Sequence, residues 1–254
     1  MTIAIIGAGI AGLACAQKLS DAGVNVSVFD KGRGPGGRMS TRRAQTSQGT
    51  LRWDHGAQYF TVQDADFEAV VKTWEEAGVV SEWNGRFVSI NEVGAITDAP
   101  SRPRYVGNPG MNAIIKHLGA KLDVQWERRV TRLDRDGGAW RLTFDEGVPV
   151  SGFEAIVVAT PAEQVGALVS DSSPDLAREA DAAVSAPCWV LMAAFDDPLA
   201  TTFDGAAFEA GDLAWAARNS AKPGRAGHET WVVQASKSWS RQYLEQDADT
   251  TASA

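Results

Sequence analysis

The sequence has few of the residues that hold metals or disulfides. Its 254 residues include two cysteines and three histidines, and Cys15 and Cys188 form neither a metal-binding nor a disulfide pattern. Cys15 falls inside the first predicted helix, where we interpret it as a small core residue. The sequence therefore predicts no metal site, and this cysteine usage is typical of a reducing cytoplasm, where we expect the protein.

Long apolar runs and an excess of positive charge are also missing. No apolar run approaches the roughly 20 residues that cross a bilayer, and the first apolar stretch is interrupted by Gly7, Gly9 and Gly12. The net charge of −8 argues against a general nucleic-acid binder. We therefore expect no membrane or nucleic-acid partner, and a small-molecule ligand instead. The oligomeric state is not indicated.

A glycine-rich turn stands at the start of the chain. Residues 3–12 read IAIIGAGIAG, which predicts a buried strand at Ile3–Ile6, a G-x-G-x-x-G turn and a helix over Ile10–Ala22. A second strand is predicted at Val24–Asp30. In such a βαβ unit the first glycine allows the turn, the second lets a pyrophosphate approach, and the third lets the helix pack closely.

Asp30 ends the second predicted strand, 18 residues after Gly12. A carboxylate at this place accepts hydrogen bonds from the ribose hydroxyls of a dinucleotide and disfavours a 2′-phosphate. The pattern therefore predicts a dinucleotide other than NADP. A glycine-rich turn without a ligand is the alternative.

A second, basic glycine loop follows Asp30 directly, reading KGRGPGGR over residues 31–38. Gly36 and Gly37 would let the backbone fold back toward the phosphates, and Arg38 could neutralise a diphosphate with its forked donor. NAD-binding domains usually lack such a loop, so it favours FAD over NAD, the alternative being a basic surface loop. Residues 32–52 are predicted to form no regular element.

The rest of the chain predicts a mixture of helices and strands. Residues 79–106 are expected to form short strands and turns, and Asp136-Gly137-Gly138 to form a hairpin turn. The predicted helices are Asp64–Ala77, Met111–Leu118 and Leu176–Ala183, and the predicted strands are Val124–Leu133, Ala139–Asp145, Phe153–Ala159, Cys188–Phe195 and Thr230–Ser236.

Six segments, in this order, resemble the renalase-type flavoproteins of bacteria, within the amine oxidase and protoporphyrinogen oxidase superfamily. They read GAGIAG, DKGRGPGGRMSTRR, DHGAQYFT, GNPGM, VVATP and WAARNSAKPGR. The resemblance implies an α/β fold: a Rossmann-type FAD-binding domain and a second α+β substrate domain with an antiparallel sheet. We expect residues 1–60 and 104–163 in the first domain, 61–103 and 164–246 in the second, a polar tail at 247–254, and the active site between the domains.

The resemblance also implies which residues hold FAD. The HGAQY segment would run beside the flavin ring, with Gln58 and Tyr59 positioning flavin and substrate, and Val130 would pair its backbone with the adenine. No general base is assigned. The expected cofactor-binding residues are Gly7, Gly9, Ile10, Ala11, Gly12, Asp30, Lys31, Gly37, Arg38, Met39, His55, Gly56, Ala57, Gln58, Tyr59, Val130, Ala159 and Thr160.

Several of these residues have a simpler interpretation. His55 could be a turn histidine without a redox role, and Tyr59 a core aromatic. Lys222 and Arg225 could steer a negatively charged dinucleotide, or could be solvated surface charges. Trp83, Trp189 and Trp215 could line the substrate cavity or belong to the core.

The activity that the resemblance implies is oxidation of 2- and 6-dihydro isomers of NADH and NADPH. Hydride would pass to flavin N5, and O2 would then reoxidise the flavin and give H2O2. The alternatives are a flavin-containing monoamine oxidase-like enzyme, and a truncated nucleotide-binding protein without activity. Relatives continue past residue 254 with a segment that this sequence does not contain, which predicts a fragment or a natural truncation with weaker flavin retention.

Overall fold

A computed structural model describes residues 1–47, 49–225 and 227–252. The strands are β1 (Thr2–Ile6), β2 (Asn25–Phe29), β3 (Thr41–Thr46), β4 (Gly49–Asp54), β5 (Val80–Glu82), β6 (Phe87–Ile90), β7 (Ile96–Asp98), β8 (Tyr105–Gly107), β9 (Asp123–Gln125), β10 (Val130–Asp136), β11 (Ala139–Phe144), β12 (Val150–Phe153), β13 (Ala155–Val158), β14 (Val190–Phe195), β15 (Gly205–Phe208), β16 (Leu213–Arg218) and β17 (Glu229–Ala235). The α-helices are α1 (Ile10–Asp21), α2 (Ala65–Glu76), α3 (Ala113–Gly119), α4 (Gly166–Val169), α5 (Pro174–Asp181), α6 (Lys237–Gln242) and α7 (Ala248–Ala252).

The chain divides into two compact units, and each is built from two separate stretches. The first unit comprises Met1–Met39 and Ile114–Ser185, and the second comprises Ser40–Ala113 and Ala186–Ala254. These units are defined by backbone packing, whereas the domains expected from the sequence are defined by what they bind. The assignment of residue ranges to an FAD domain and a substrate domain therefore stays a prediction.

The first unit contains a parallel sheet in the order β13-β1-β2-β9. Ile3 to Ile6 of β1 are all buried, as expected for a central strand covered on both faces. The chain continues from β1 to β2 on one side, and β13 joins on the other side, so the strand order reverses next to β1. Ligands of open α/β sheets bind at such a reversal, beyond the carboxyl ends of the strands. The predicted Rossmann-type fold is confirmed.

A three-stranded antiparallel sheet, β10-β11-β12, completes the sheets of this unit. The predicted hairpin turn joins β10 to β11, with φ of +58° at Gly137 and +89° at Gly138, as a two-residue type I′ turn requires. Phe29 of the parallel sheet packs against Phe144 and Phe153, at ring distances of 5.3 Å and 5.9 Å. These aromatic contacts form part of the unit's core.

The predicted strand Val124–Leu133 is wrong because it is two strands in different sheets. It divides into β9 and β10, and between them Glu127 has a φ of +57°, in the left-handed region outside the usual strand range. The predicted strand Phe153–Ala159 corresponds to β13 within two residues at each end, and its first residue, Phe153, ends β12 in the other sheet. The apolar pattern continues through both changes of sheet and does not reveal them.

The second unit contains a six-stranded sheet in the order β14-β17-β16-β15-β6-β7. All neighbouring pairs are antiparallel except β15 with β6. The predicted antiparallel sheet is therefore present, with one parallel pair inserted. Strands β14 and β17 lie within two residues of the predicted ones.

The prediction that residues 32–52 form no regular element is wrong. Strands β3 and β4 pair as an antiparallel hairpin, and Gly37–Met39 forms a 3₁₀ turn. In β4 the buried side chains of Leu51 and Trp53 alternate with exposed ones and pack against Val232. Arginine and threonine fill the other positions, so the composition resembles a loop although the side chains alternate as in a strand.

None of the helices in the described ranges is long and apolar enough to cross a membrane. The same residues include no group of three or more histidine, cysteine, aspartate or glutamate side chains that could hold a metal ion.

Candidate functional site

In the turn after β1, the protein's own backbone requires glycine at two positions. Gly7 has a φ of +106°, and a Cβ there would lie 2.9 Å from the carbonyl oxygen of Ala159. At Gly12 a Cβ would lie 1.9 Å from the carbonyl oxygen of Gly7. Any larger residue at Gly12 would force the turn open, so these two glycines are explained by the fold.

Gly9 differs, because none of the residues that the structure describes requires a glycine there. Its φ of −77° suits any residue, and a Cβ would meet no atom of the described residues within 4 Å. A glycine with ordinary backbone angles beside open space is explained by a ligand that approaches the backbone closely, as a pyrophosphate does in this type of turn.

Helix α1 begins at this turn without a protein group to cap it. Gly9 is the N-cap and offers no side-chain hydrogen bond, and the first turn contains no acidic residue. The first bond of the helix runs from the Leu13 N–H to the Gly9 carbonyl, so the amides of Ile10, Ala11 and Gly12 lack helical acceptors. These donors and the partial positive charge of the helix suit a phosphate group.

Asp30 connects the two glycine loops. Its Oδ2 accepts a hydrogen bond from the Ala8 N–H at 2.7 Å, and its Oδ1 accepts one from the Gly32 N–H at 2.6 Å. Each carboxylate oxygen keeps a further lone pair. Asp30 can therefore fix both loops and still accept a ribose hydroxyl.

The basic loop folds back toward the first turn. Gly37 has a φ of +55°, and a Cβ there would lie 3.8 Å from Cα of Gly9. Arg38 is exposed and Met39 is buried, while Lys31 Nζ donates to Gln164 Oε1 at 2.8 Å. The loop thus brings an exposed guanidinium to the same side of the unit, but its contact with a diphosphate stays a prediction.

Thr160 carries a buried polar atom that the protein does not satisfy. Among the described residues its Oγ1 has no hydrogen-bond partner, and its backbone nitrogen would lie 3.2 Å from a Cβ at Gly7. A buried hydroxyl without a partner costs about 1–3 kcal/mol, and a bound ligand would remove this cost. The open Gly9, the uncapped helix and Thr160 together fit the dinucleotide that the sequence predicts.

Val130 is the first residue of β10, and its side chain belongs to the core of the first unit. Its Cα pairs with that of Phe144. A backbone contact from Val130 to an adenine stays a prediction.

In the second unit, the segment His55–Tyr59 begins at a buried carboxylate. Asp54 is 0% exposed; its Oδ1 accepts from Thr41 Oγ1 at 2.6 Å and from the Met111 N–H at 3.0 Å. Its Oδ2 accepts two bonds from Arg225, from Nε at 3.0 Å and from Nη2. Lys222 Nζ lies 3.7 Å from the same oxygen. Asp54 therefore joins segments that lie up to 171 residues apart.

The interpretation of Lys222 and Arg225 as solvated surface charges is wrong. The side chain of Lys222 is 0% exposed and that of Arg225 is 1% exposed. Both have left water to pair with Asp54, so neither can steer a ligand from the surface. The sequence alone does not indicate that Asp54, Lys222 and Arg225 pair, since all three stand in polar, loop-like segments.

The three charges alter one another's protonation. Burial raises the pKa of Asp54, but Arg225 and Lys222 lower it more, so it lies below its ordinary value. Burial lowers the pKa of Lys222 to about 7, although Asp54 opposes this shift. Two basic groups thus face one carboxylate, and the lysine is the one that loses its proton near neutral pH.

This lysine should make the stability of the protein depend on pH. A lysine in the unfolded chain has a pKa of about 10.4. Between pH 7 and 10, Lys222 is therefore protonated in the unfolded chain but neutral in the folded protein. The free energy of unfolding should then rise with pH, by up to about 1.4 kcal/mol per unit from this group. Below pH 7 both states are protonated, and the lysine contributes no slope.

Urea unfolding at several pH values tests this prediction. The slope between pH 7 and 10 should be smaller in Lys222→Met than in the wild type, and unchanged in Lys116→Met, which removes an exposed lysine. An equal slope in the wild type and Lys222→Met would contradict it.

Amide side chains fix the backbone of the segment His55–Tyr59. Gln58 Nε2 donates to the carbonyl oxygens of Asp54 and Gly56, and Gln234 Nε2 donates to that of Gly56 at 3.0 Å. His55 is half-buried, and burial and Arg42 lower its pKa, which Asp54 opposes. The structure thus places Gln58 inside this network, with its amide facing the protein backbone.

Tyr59 belongs to an aromatic cluster, which we define as Tyr59, Trp83, Phe87, Trp215 and Arg104. The Tyr59 ring lies 6.5 Å from Trp83, 6.3 Å from Phe87 and 5.4 Å from Trp215. The Arg104 guanidinium lies 3.9 Å above the Phe87 ring and 5.4 Å from that of Tyr59. Trp189 lies outside this cluster and donates to the Tyr243 carbonyl at 2.9 Å.

The cluster contains three buried donors without acceptors. Among the described residues, Trp83 Nε1, Trp215 Nε1 and Arg104 Nε have no hydrogen-bond partner. Trp83 and Arg104 also line a cavity of about 360 Å³ between residues 82 and 104. The sequence indicated the two tryptophans as candidates but gave no sign of Arg104.

Comparison with known proteins shows to which family the sequence belongs. The sequence model of the NAD(P)-binding Rossmann-like domain matches residues 5–76. That of the flavin containing amine oxidoreductases matches residues 94–240, more than half of the chain.

Two plant enzymes are similar over part of the chain. Mitochondrial protoporphyrinogen oxidase of Nicotiana tabacum is 34% identical over 104 residues, which are 40% of this chain and 19% of that protein. Protoporphyrinogen oxidase 2 of Arabidopsis thaliana is 41% identical over 59 residues, 23% of this chain and 11% of that protein. The matches thus span less than a fifth of the length of these relatives.

Solved structures share the fold at low identity. A putrescine oxidase bound to putrescine has a TM-score of 0.70 at 15% identity, over 99% of this chain and 79% of that one. A putative protoporphyrinogen oxidase from Exiguobacterium sp. 255-15 has a TM-score of 0.70 at 13% identity, over 99% and 83%. The match over residues 94–240 identifies the chain as a member of the flavin containing amine oxidoreductase family, and its cofactor is FAD.

Proposed function

We propose that the chain is a renalase-like FAD-dependent oxidase of dihydronicotinamide dinucleotide isomers, the 2- and 6-dihydro forms of NADH and NADPH. The glycine turn, Asp30, Arg38 and Thr160 would hold the diphosphate and ribose of FAD. Gly56, Ala57, Gln58 and Tyr59 would contact its ring. FAD, when bound, accepts a hydride from the substrate and passes the electrons to O2, which gives H2O2.

The observation that supports this substrate is the set of unpartnered donors in the aromatic cluster. Within the described part of the chain, two indole N–H groups and one guanidinium N–H lie buried without acceptors. They suit a flat substrate with carbonyl and phosphate oxygens, as a dihydronicotinamide dinucleotide has. Each satisfied donor would contribute about 1 kcal/mol to binding, and more where the substrate group is charged.

The charge of the cluster favours the same substrate class. Arg104 covers the Phe87 ring, and Lys222 Nζ lies 5.3 Å from the centre of the Trp83 ring. An ammonium group would meet the Arg104 and Lys222 cations and further donors at the cluster. An anionic dinucleotide would be attracted by these two cations, while Glu82 and Asp98 line the far part of the same cavity beside Arg86.

An amine oxidase of the same family is the second candidate. The rings of Tyr59 and Trp215, 5.4 Å apart and tilted by 52°, form the kind of aromatic surface that binds alkylammonium groups. In this structure, however, the guanidinium of Arg104 already lies over the Tyr59 ring.

Anaerobic bleaching of the flavin absorbance distinguishes these candidates. Isomerised NADH should bleach the flavin of the reconstituted protein, and putrescine should not. Trp83→Phe, which removes one donor and keeps a ring, should raise KM for the dihydronicotinamide about tenfold, the equivalent of 1.4 kcal/mol. Trp74→Phe, in helix α2, is the matched control and should leave KM unchanged. Bleaching by putrescine alone would reject the proposal in favour of an amine oxidase.

A further inference from the structure

Lys222 holds one end of the Gln58 amide. Its Nζ donates to Gln58 Oε1 at 3.1 Å, while the other end of the same amide, Nε2, donates to the carbonyl oxygens of Asp54 and Gly56. A protonated lysine amine only donates hydrogen bonds. In that state it is compatible only with the orientation in which the amide oxygen faces it, which is the orientation in the structure.

The opposite orientation of the Gln58 amide would place its oxygen against two carbonyl oxygens. Without Lys222, no other described contact selects between the two orientations from the oxygen side. Lys222 thus determines which atoms Gln58 presents to the backbone of the segment that precedes Tyr59.

The need to neutralise Asp54 does not explain why Lys222 is buried beside it. Arg225 already binds Asp54 through two nitrogens, and Thr41 and the Met111 N–H occupy the other oxygen. A second fully buried cation adds desolvation cost and little stability. Apart from the Trp83 ring, 5.3 Å from the amine, the contact that remains to explain Lys222 is its hydrogen bond to Gln58.

We infer that Lys222 is a positioning residue for the oxidation, which acts through Gln58 to fix the segment from Gly56 to Tyr59. The inference rests on the proposed function in one respect, that this segment contacts the flavin ring. The groups that face the Lys222 amine are the Asp54 carboxylate, the Arg225 guanidinium, the Gln58 amide and the Trp83 ring.

A double-mutant cycle on the FAD-loaded protein tests this inference. Lys222→Met and Gln58→Leu should each lower kcat about tenfold or more with KM changed less than threefold, and each should alter the visible circular dichroism of the bound flavin. Because both act on one segment, the double variant should be no slower than the slower single variant. Ser220→Ala is the matched control: it removes a contact of the same loop with Glu229 and should change neither kcat nor the dichroism.

Three results would overturn the inference. The first is a kcat of Lys222→Met within twofold of wild type together with an unchanged dichroism. The others are a double variant in which the two losses of kcat multiply, and a loss of kcat in Ser220→Ala equal to that in Lys222→Met. If FAD binds but isomerised NADH does not bleach it, the proposed function fails, and the dichroism of the same variants still decides the role of Lys222. If the wild-type protein binds no FAD, both fail.

Discussion

Replacing Arg225 by methionine is expected to destabilise the protein by about 3 kcal/mol, the lower end of the cost of breaking a buried ion pair. The substitution keeps an unbranched side chain of similar reach only as far as the arginine stem, and it removes both nitrogens that bind Asp54. The carboxylate stays fully buried. Lys222, 3.7 Å away, compensates in part, which is why we expect the lower value.

Urea unfolding at pH 7 measures this effect through the transition midpoint at constant m-value. The matched control is Arg178→Met, which breaks the exposed pair of Arg178 with Asp175 on helix α5 and should cost less than about 1 kcal/mol. If Arg225→Met and Arg178→Met cost the same, the Asp54 cluster does not stabilise the fold as described.

Replacing Gly12 by alanine is expected to remove FAD binding and to destabilise the first unit. The new Cβ would lie 1.9 Å from the Gly7 carbonyl oxygen, a backbone atom that cannot rotate away. Overpacking of this kind costs about 1–3 kcal/mol or more. The turn that presents the helix amides to the diphosphate would open, so we expect FAD affinity to fall at least about 100-fold, the equivalent of 2.8 kcal/mol.

Gly9→Ala should separate the two effects of Gly12→Ala. A Cβ at Gly9 meets no atom of the described residues within 4 Å and the φ of Gly9 is ordinary, so the free energy of unfolding of the FAD-free protein should change by less than about 1 kcal/mol. The methyl group would nevertheless occupy the space of the pyrophosphate and weaken FAD binding. Gly34→Ala, also in open space, should affect neither property. FAD titration and urea unfolding of the three variants check both expectations, and full FAD affinity in Gly9→Ala would contradict the binding site.

The glycine turn could be predicted from the sequence because all of its requirements are local. Strand, turn, helix and Asp30 lie within 30 consecutive residues, and each has a recognisable residue type. The hairpin at Gly137 and Gly138 was predictable for the same reason. The periodicity of apolar residues does not show which strands share a sheet. Only the structure shows that the chain passes from one sheet to another at Glu127 and at Glu154.

The Asp54 cluster could not be predicted in this way. Asp54 appears in the sequence as the first residue of DHGAQYFT, without a sign that its partners follow at positions 222 and 225. Lysine and arginine in a Pro- and Gly-containing segment are usually exposed, and only the tertiary fold removes them from water. The burial of Arg104 could not be predicted for the same reason, since it depends on Phe87 and Tyr59 rather than on the residues next to Arg104 in the sequence.

The parallel pairing of β1 with β13 has a consequence for synthesis on the ribosome. Ile3 pairs with Ala155, so the amino-terminal strand waits for its second neighbour until more than 150 further residues have been translated. At about 5–20 residues per second this delay lasts roughly 8–30 s. During that time one edge of a strand whose last four residues are apolar stays uncovered, and we expect newly made chains to depend on chaperone protection until β13 emerges.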